Sequence, residues 1–133
     1  MAAKYVGPQG VTVHTPPARE TLAKVGKIEA GDGSTAFAAF GIPANAFIVG
    51  VYTISMGANA TQTINAGFSA SGTELINGFA PNSTGYATAG AQTGSAVGTR
   101  VTSDKIVYLK ASATLTNPVY VKVEYYIPTG VAF

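Results

Sequence analysis

The run Val119-Tyr-Val-Lys-Val-Glu-Tyr-Tyr-Ile127 constrains the fold more than any other stretch of the chain. Val119, Val121, Val123, Tyr125 and Ile127 alternate with Tyr120, Lys122, Glu124 and Tyr126. Successive side chains of a strand point to opposite faces, so this period predicts a strand with one face on a core and one on solvent or a partner. Residues 105–111 carry a second strand pattern, and Asn117-Pro118 stands between the two runs. Proline has a fixed φ and no amide to give a ladder, so this joint reads as a turn. The two runs are therefore expected to fold back on each other as a closing hairpin.

The rest of the chain repeats this grammar in weaker form. Residues 46–56 form the strongest strand pattern of the first half, with Ile48, Tyr52, Ile54 and Met56 on one side and Phe47, Val49 and Val51 on the other. Both sides are apolar at its start, which predicts a central strand covered on both faces. Weaker strands are expected over 35–40 and 62–68, and a short strand or turn over 74–79. Asp32-Gly33, Gly41-Ile-Pro43 and Gly57-Ala-Asn59 punctuate them. The stretch 69–100 holds Asn77-Gly78, Pro81-Asn82 and then Gly85, Gly90, Gly94 and Gly98, and reads as a long Ala/Gly/Thr/Ser loop. About six to eight short antiparallel strands with frequent turns and little helix predict an all-β chain, a β-sandwich or jelly roll.

Residues 1–29 read differently. Gly7-Pro8, Gly10 and Pro16-Pro17 break regular structure, Val11-Thr12-Val13 suggests a short strand, and 18–25 suggests two turns of helix with Thr15 as its cap. We divide the chain into an extended N-terminal arm, 1–29, and a β-sandwich domain, 30–133. The arm is expected to lie on a neighbouring subunit, with Tyr5, Val11, Val13 and Leu22 as its contacts. Tyr120 and Tyr126, on the outward row of the last strand, have no basic groove beside them and are expected to serve a protein interface.

Chemistry is excluded more readily than it is found. The 133 residues suffice for one domain, contain no Cys, and include a single His, His14. Disulfides and thiolate metal sites are thereby ruled out, and neither a metal site nor a cofactor is expected. A Ser-His-acid triad would depend on His14, no Gly-X-Ser-X-Gly pattern occurs, and the six acids are scattered, so no enzyme is expected. The glycines at 90, 94 and 98 lack the Lys-Ser/Thr of a phosphate loop. Asn59-Ala-Thr61 and Asn82-Ser-Thr84 match the glycosylation acceptor pattern but read as chance in so Thr- and Ser-rich a chain. Only 11% of residues are charged, below the about 25% of ordinary domains, which suits a chain that hides surface in contacts. A net charge of +2 without a basic stripe argues against nucleic acid. No run reaches the about 18 apolar residues of a membrane span, and Tyr5-Val-Gly-Pro-Gln9 is no signal-peptide core, so synthesis in the cytoplasm is expected.

Three segments stand out together: Phe40-Gly-Ile-Pro-Ala-Asn-Ala-Phe-Ile-Val-Gly-Val-Tyr-Thr-Ile54, Ala60-Thr-Gln-Thr-Ile-Asn-Ala-Gly-Phe68, and Lys105-Ile-Val-Tyr-Leu109 with Asn117-Pro-Val-Tyr-Val-Lys-Val-Glu-Tyr-Tyr-Ile127. In this order they resemble capsid decoration, or cement, proteins of tailed bacteriophages. The resemblance is one of composition and strand order. It implies a virion protein, a homo-oligomer and specifically a trimer, seated on the major capsid protein at the outer surface of the shell. It also implies that no catalytic residue carries over. The alternative is a receptor- or glycan-binding module of a phage fibre or tail, with the 69–100 loop as its recognition edge.

Overall fold

The computed structural model describes residues 21–81 and 94–128. Seven strands follow in order: β1 (Leu22–Ile28), β2 (Phe37–Ile42), β3 (Phe47–Ser55), β4 (Ile64–Gly67), β5 (Ile76–Phe79), β6 (Lys105–Ala111) and β7 (Val119–Tyr126). They form two sheets, β1-β7-β3 and β2-β6-β4-β5, in which every ladder is antiparallel. The described residues contain no helix. The all-β sandwich expected from the periodicity is the fold observed.

The core lies between the sheets. Ile28, Ile48, Val51, Val119, Val121, Val123 and Tyr125 enter it from the first sheet, and Ile42, Ile64, Ala66, Ile76, Val107, Leu109 and Ala111 from the second. Leu75 and Leu115 are buried with them. Burial alternates without a break along β7, as its sequence period requires. Gly26 marks a close approach of the sheets: a Cβ there would stand 3.0 Å from Ala39 Cβ and 3.0 Å from Leu109 Cδ1.

Three expectations are corrected. The hairpin of 105–111 with 119–127 does not form, because β6 and β7 lie in opposite sheets. Residues 112–118 instead arch across the sandwich and are held there. Gly31 N–H donates to Leu115 O (2.8 Å), and Leu115 N–H donates to Asp32 O (2.9 Å). A hairpin and an arch show the same alternation in sequence, since both bury alternate residues of each strand; the pairing of β6 and β7 with different partners decides between them, and Leu115 of the arch is buried.

Strand β3 is also not central. β7 holds the middle of its sheet and β3 is at one side. The β3–β7 register shifts between Ile48 and Gly50, so Val49 is the extra residue of a bulge. Ile48 and Val51 both face inward while Val49, Tyr52 and Ile54 face outward. Apolar residues on both sides of the run thus reflect a change of phase together with an apolar outer surface. Residues 98–101 cover the start of this edge, with Gly98 N–H donating to Ile48 O and Ile48 N–H to Thr99 O, each at 2.8 Å.

The third correction concerns the helix expected over 18–25. Leu22 to Val25 are the first half of β1, paired with Tyr125 to Lys122 of β7. A ladder against a strand with so clean a period overrides a weak local helix preference. The described part of the stretch assigned to the arm is therefore a strand of the sandwich.

Candidate interaction face

The outer face of the β1-β7-β3 sheet gathers the exposed apolar side chains. Its rows follow from the ladders: Val25, Lys122 and Tyr52 lie side by side, and Lys27, Tyr120 and Ile54 form the next row. Val25 is 58% exposed, Ile54 41%, Val49 42% and Met56 40%. Ile106, on the other sheet, and Leu22 are the remaining exposed large hydrophobics among the described residues. Val25, Tyr52, Ile54, Tyr120 and Lys122 line a shallow depression of about 360 Å³. Outward apolar residues on neighbouring strands mark an interaction surface more specifically than single scattered ones do.

Polar groups on this face are arranged around the tyrosines. Lys122 Nζ is 2.9 Å from Glu124 Oε2 and 5.4 Å from the Tyr52 ring centroid. Lys27 Nζ is 3.2 Å from Glu29 Oε1 and 5.3 Å from the Tyr120 ring. The hydrogen bond to Glu29 first, and that to Tyr120 second, raise the Lys27 pKa above its ordinary value. Tyr52 lies against Gly50, where a Cβ would collide with the ring, so glycine there lets the tyrosine lie flat along the sheet. At the far end of β7, Tyr126 stacks on Phe47 with ring centroids 5.5 Å apart and 24° between planes.

The residues expected to make contacts divide into three groups. Tyr120 and Tyr126 lie on this outer row of β7, six positions apart, with Tyr120 in the depression. Leu22 is 40% exposed but shares the inward phase of β1, opposite Tyr125, at the end of the strand. Tyr5, Val11 and Val13 lie outside the described residues. The sequence reading missed Val25, which it placed in a helix. It also assigned Tyr52, Ile54 and Met56 to the same side as Ile48. Gly50 beside an apolar run was the one available signal of the bulge that moves them outward.

No group of three or more His, Cys, Asp or Glu occurs among the described residues, and no described helix is long and apolar enough to cross a membrane. His14 and the Asn82 acceptor lie outside the described residues. Asn59 is fully buried. Its Oδ1 accepts from Thr116 N–H and Asn117 N–H, both at 2.8 Å, and its Nδ2 donates to Asn117 O at 3.0 Å and Ser55 Oγ at 3.1 Å. This amide pins the β3–β4 loop to the arch and is not accessible to a sugar transferase in the folded chain.

No protein-family profile and no curated protein matches the sequence. Solved structures do match in fold. A chain of the cyanophage Pam1 capsid asymmetric unit superposes with a TM-score of 0.63 at 19% identity, covering 96% of this chain and 100% of that one. A chain of the capsid of Ralstonia phage GP4 gives 0.63 at 15% identity, covering 95% and 96%. A chain of the acidic stable capsid structure of Helicobacter pylori bacteriophage KHP30 gives 0.53 at 16% identity, covering 83% and 94%. The protein shares its fold, over nearly its whole length, with chains of phage capsids.

Proposed function

We propose that the protein is a structural component of a phage particle, and within that class a decoration protein that binds and stabilises the outer surface of the shell. The observation that carries the first part is the likeness of fold, over 83% to 96% of this chain, to chains of three phage capsids. The apolar outer face of the β1-β7-β3 sheet supports the second, since it supplies a contact surface on the sandwich. The mechanism is avidity. The N-terminal arm and the sheet face each make modest contacts to the major capsid protein, and their linkage within one chain, and within a trimer, multiplies them.

The test is co-sedimentation with shells of the major capsid protein. Deleting residues 1–20, which leaves β1 intact, is expected to give a folded protein that binds shells poorly. Undiminished binding of that truncation would remove the arm from the mechanism. No binding by the full chain would remove decoration itself. A glycan-binding module is the weaker reading of the same face, because Lys27 and Lys122 stand over the rings of Tyr120 and Tyr52 that a sugar would stack on.

A further inference from the structure

We infer that Asn77-Gly78 is a latent site of backbone self-modification and that the Asn65 carboxamide holds it closed. Asn77-Gly78 is the one Asn-Gly pair in the sequence. It sits on β5, with Asn77 and Gly78 both exposed. Gly78 has φ +80°, with open space where a side chain would be. The β4–β5 register shifts there: Ile64 pairs with Phe79 and Asn65 with Asn77, so Gly78 is the extra residue of a bulge. Lack of a side chain on the following residue is what makes an asparagine prone to cyclise, and this pair meets that condition at the surface.

The chemistry needs no co-reactant but water. The Gly78 backbone nitrogen attacks Asn77 Cγ; the new N–Cγ bond forms, the Cγ–Nδ2 bond breaks, and ammonia leaves with the proton that the Gly78 amide gives up. Water then opens the succinimide at Cγ, giving aspartate, or at the main-chain carbonyl, giving isoaspartate. Either product adds one negative charge. Isoaspartate also inserts a methylene into the main chain of β5, beside Ile76 and Leu75, which are fully buried.

Two features of the fold oppose this. Gly78 N–H donates to Asn65 Oδ1 at 2.8 Å, so the attacking nitrogen is engaged and the proton it must lose is held in a hydrogen bond. The Asn65–Asn77 and Ala66–Ile76 pairs hold Asn77 in a strand, whereas closing the five-membered ring needs rotation about its ψ. Asn65 therefore has a task on an outward position where burial asks nothing of it. It guards a chemically labile bulge whose opening would reach the core.

The test follows intact purified protein over days in mildly alkaline buffer, reading isoaspartate enzymatically and the residue-77 peptide by mass. Asn65→Val keeps a strand-forming side chain without an acceptor; Asn65→Asp keeps the acceptor. The folded wild type is expected to modify residue 77 far more slowly than the same protein in denaturant. Asn65→Val is expected to modify it about five- to tenfold faster than wild type, the factor one hydrogen bond can hold back. Asn65→Asp should stay close to wild type. Equal rates for folded and denatured wild type, or for folded Asn65→Val and wild type, would overturn the inference. If Asn65→Val does not fold, Asn65→Ala, which also lacks the acceptor, takes its place under the same criteria.

Discussion

At the scale of single residues, Asn59 has more structural consequence than any other polar side chain described. Its four hydrogen bonds use both acceptor and both donor positions of the amide, in a site without solvent exposure. Replacement by Ala takes the acceptor from the Thr116 and Asn117 amides and a donor from the Asn117 carbonyl, and leaves the Ser55 hydroxyl with Gly57 O alone. Asn59→Ala is expected to cost about 2–4 kcal/mol, read as a lower denaturant midpoint at unchanged slope. Gly26 is the apolar counterpart. Gly26→Val would drive methyl groups into Ala39 and Leu109 and is expected to cost about 1–3 kcal/mol. Lys27 bears on pH dependence at the alkaline end. Its raised pKa contributes stability that is fully present below the ordinary lysine range and lost as pH rises through the raised value, so it adds no pH dependence near neutrality. The packing role of neither Asn59 nor Gly26 could be read from sequence, because the partners that define it lie at positions 116–117 and at 39 and 109.

At the scale of elements, β7 organises the molecule. It is the middle strand of its sheet, with ladders to β1 and β3 on its two sides. Its amides are expected to be among the slowest to exchange with deuterium, while those of β1 and β5, at sheet edges, exchange sooner. Fast exchange throughout β7 would contradict its central place. The β3 bulge matters in a different way: by moving Tyr52 and Ile54 to the outer face it creates the apolar surface beside Val25. Val25→Asp and Ile54→Asp lie at exposed positions, so each is expected to shift stability by only about 0.5 kcal/mol. On the proposed function, both should weaken shell binding. A variant that unfolds instead would mean that this face is needed by the fold itself.

At the scale of the whole molecule, the strand in 22–28 changes where the chain can be cut. Removing residues 1–20 spares both sheets, whereas removing 1–27 deletes nearly all of β1, exposes one side of β7 and uncovers Ile28. The longer deletion is expected to abolish cooperative unfolding, measured by circular dichroism against temperature, while the shorter one retains it. Assembly is a separate question of mass. A trimer in native mass spectrometry, dispersed by Val25→Asp, would make the sheet face a contact between copies; a trimer unaffected by it would leave that face to the shell.

The sequence by itself determined the class of fold, the placement of most strands and the inner row of β7. These depend on a local quantity, the alternation of side chains along an extended backbone, which needs no knowledge of the partner strand. It also excluded thiol chemistry, since the chain has no cysteine. Only the tertiary structure decided that 105–111 and 119–127 lie in different sheets, that 22–28 is a strand, and that Val49 is bulged. Each of these is a fact of pairing. A strand's period is the same whether it turns back within its sheet or arches across to the other. A one-residue bulge exchanges the faces of everything beyond it, leaving little local trace beyond a glycine. The apolar outer face is assembled from three strands distant in sequence, β1, β7 and β3, and so became visible only once their registers were known.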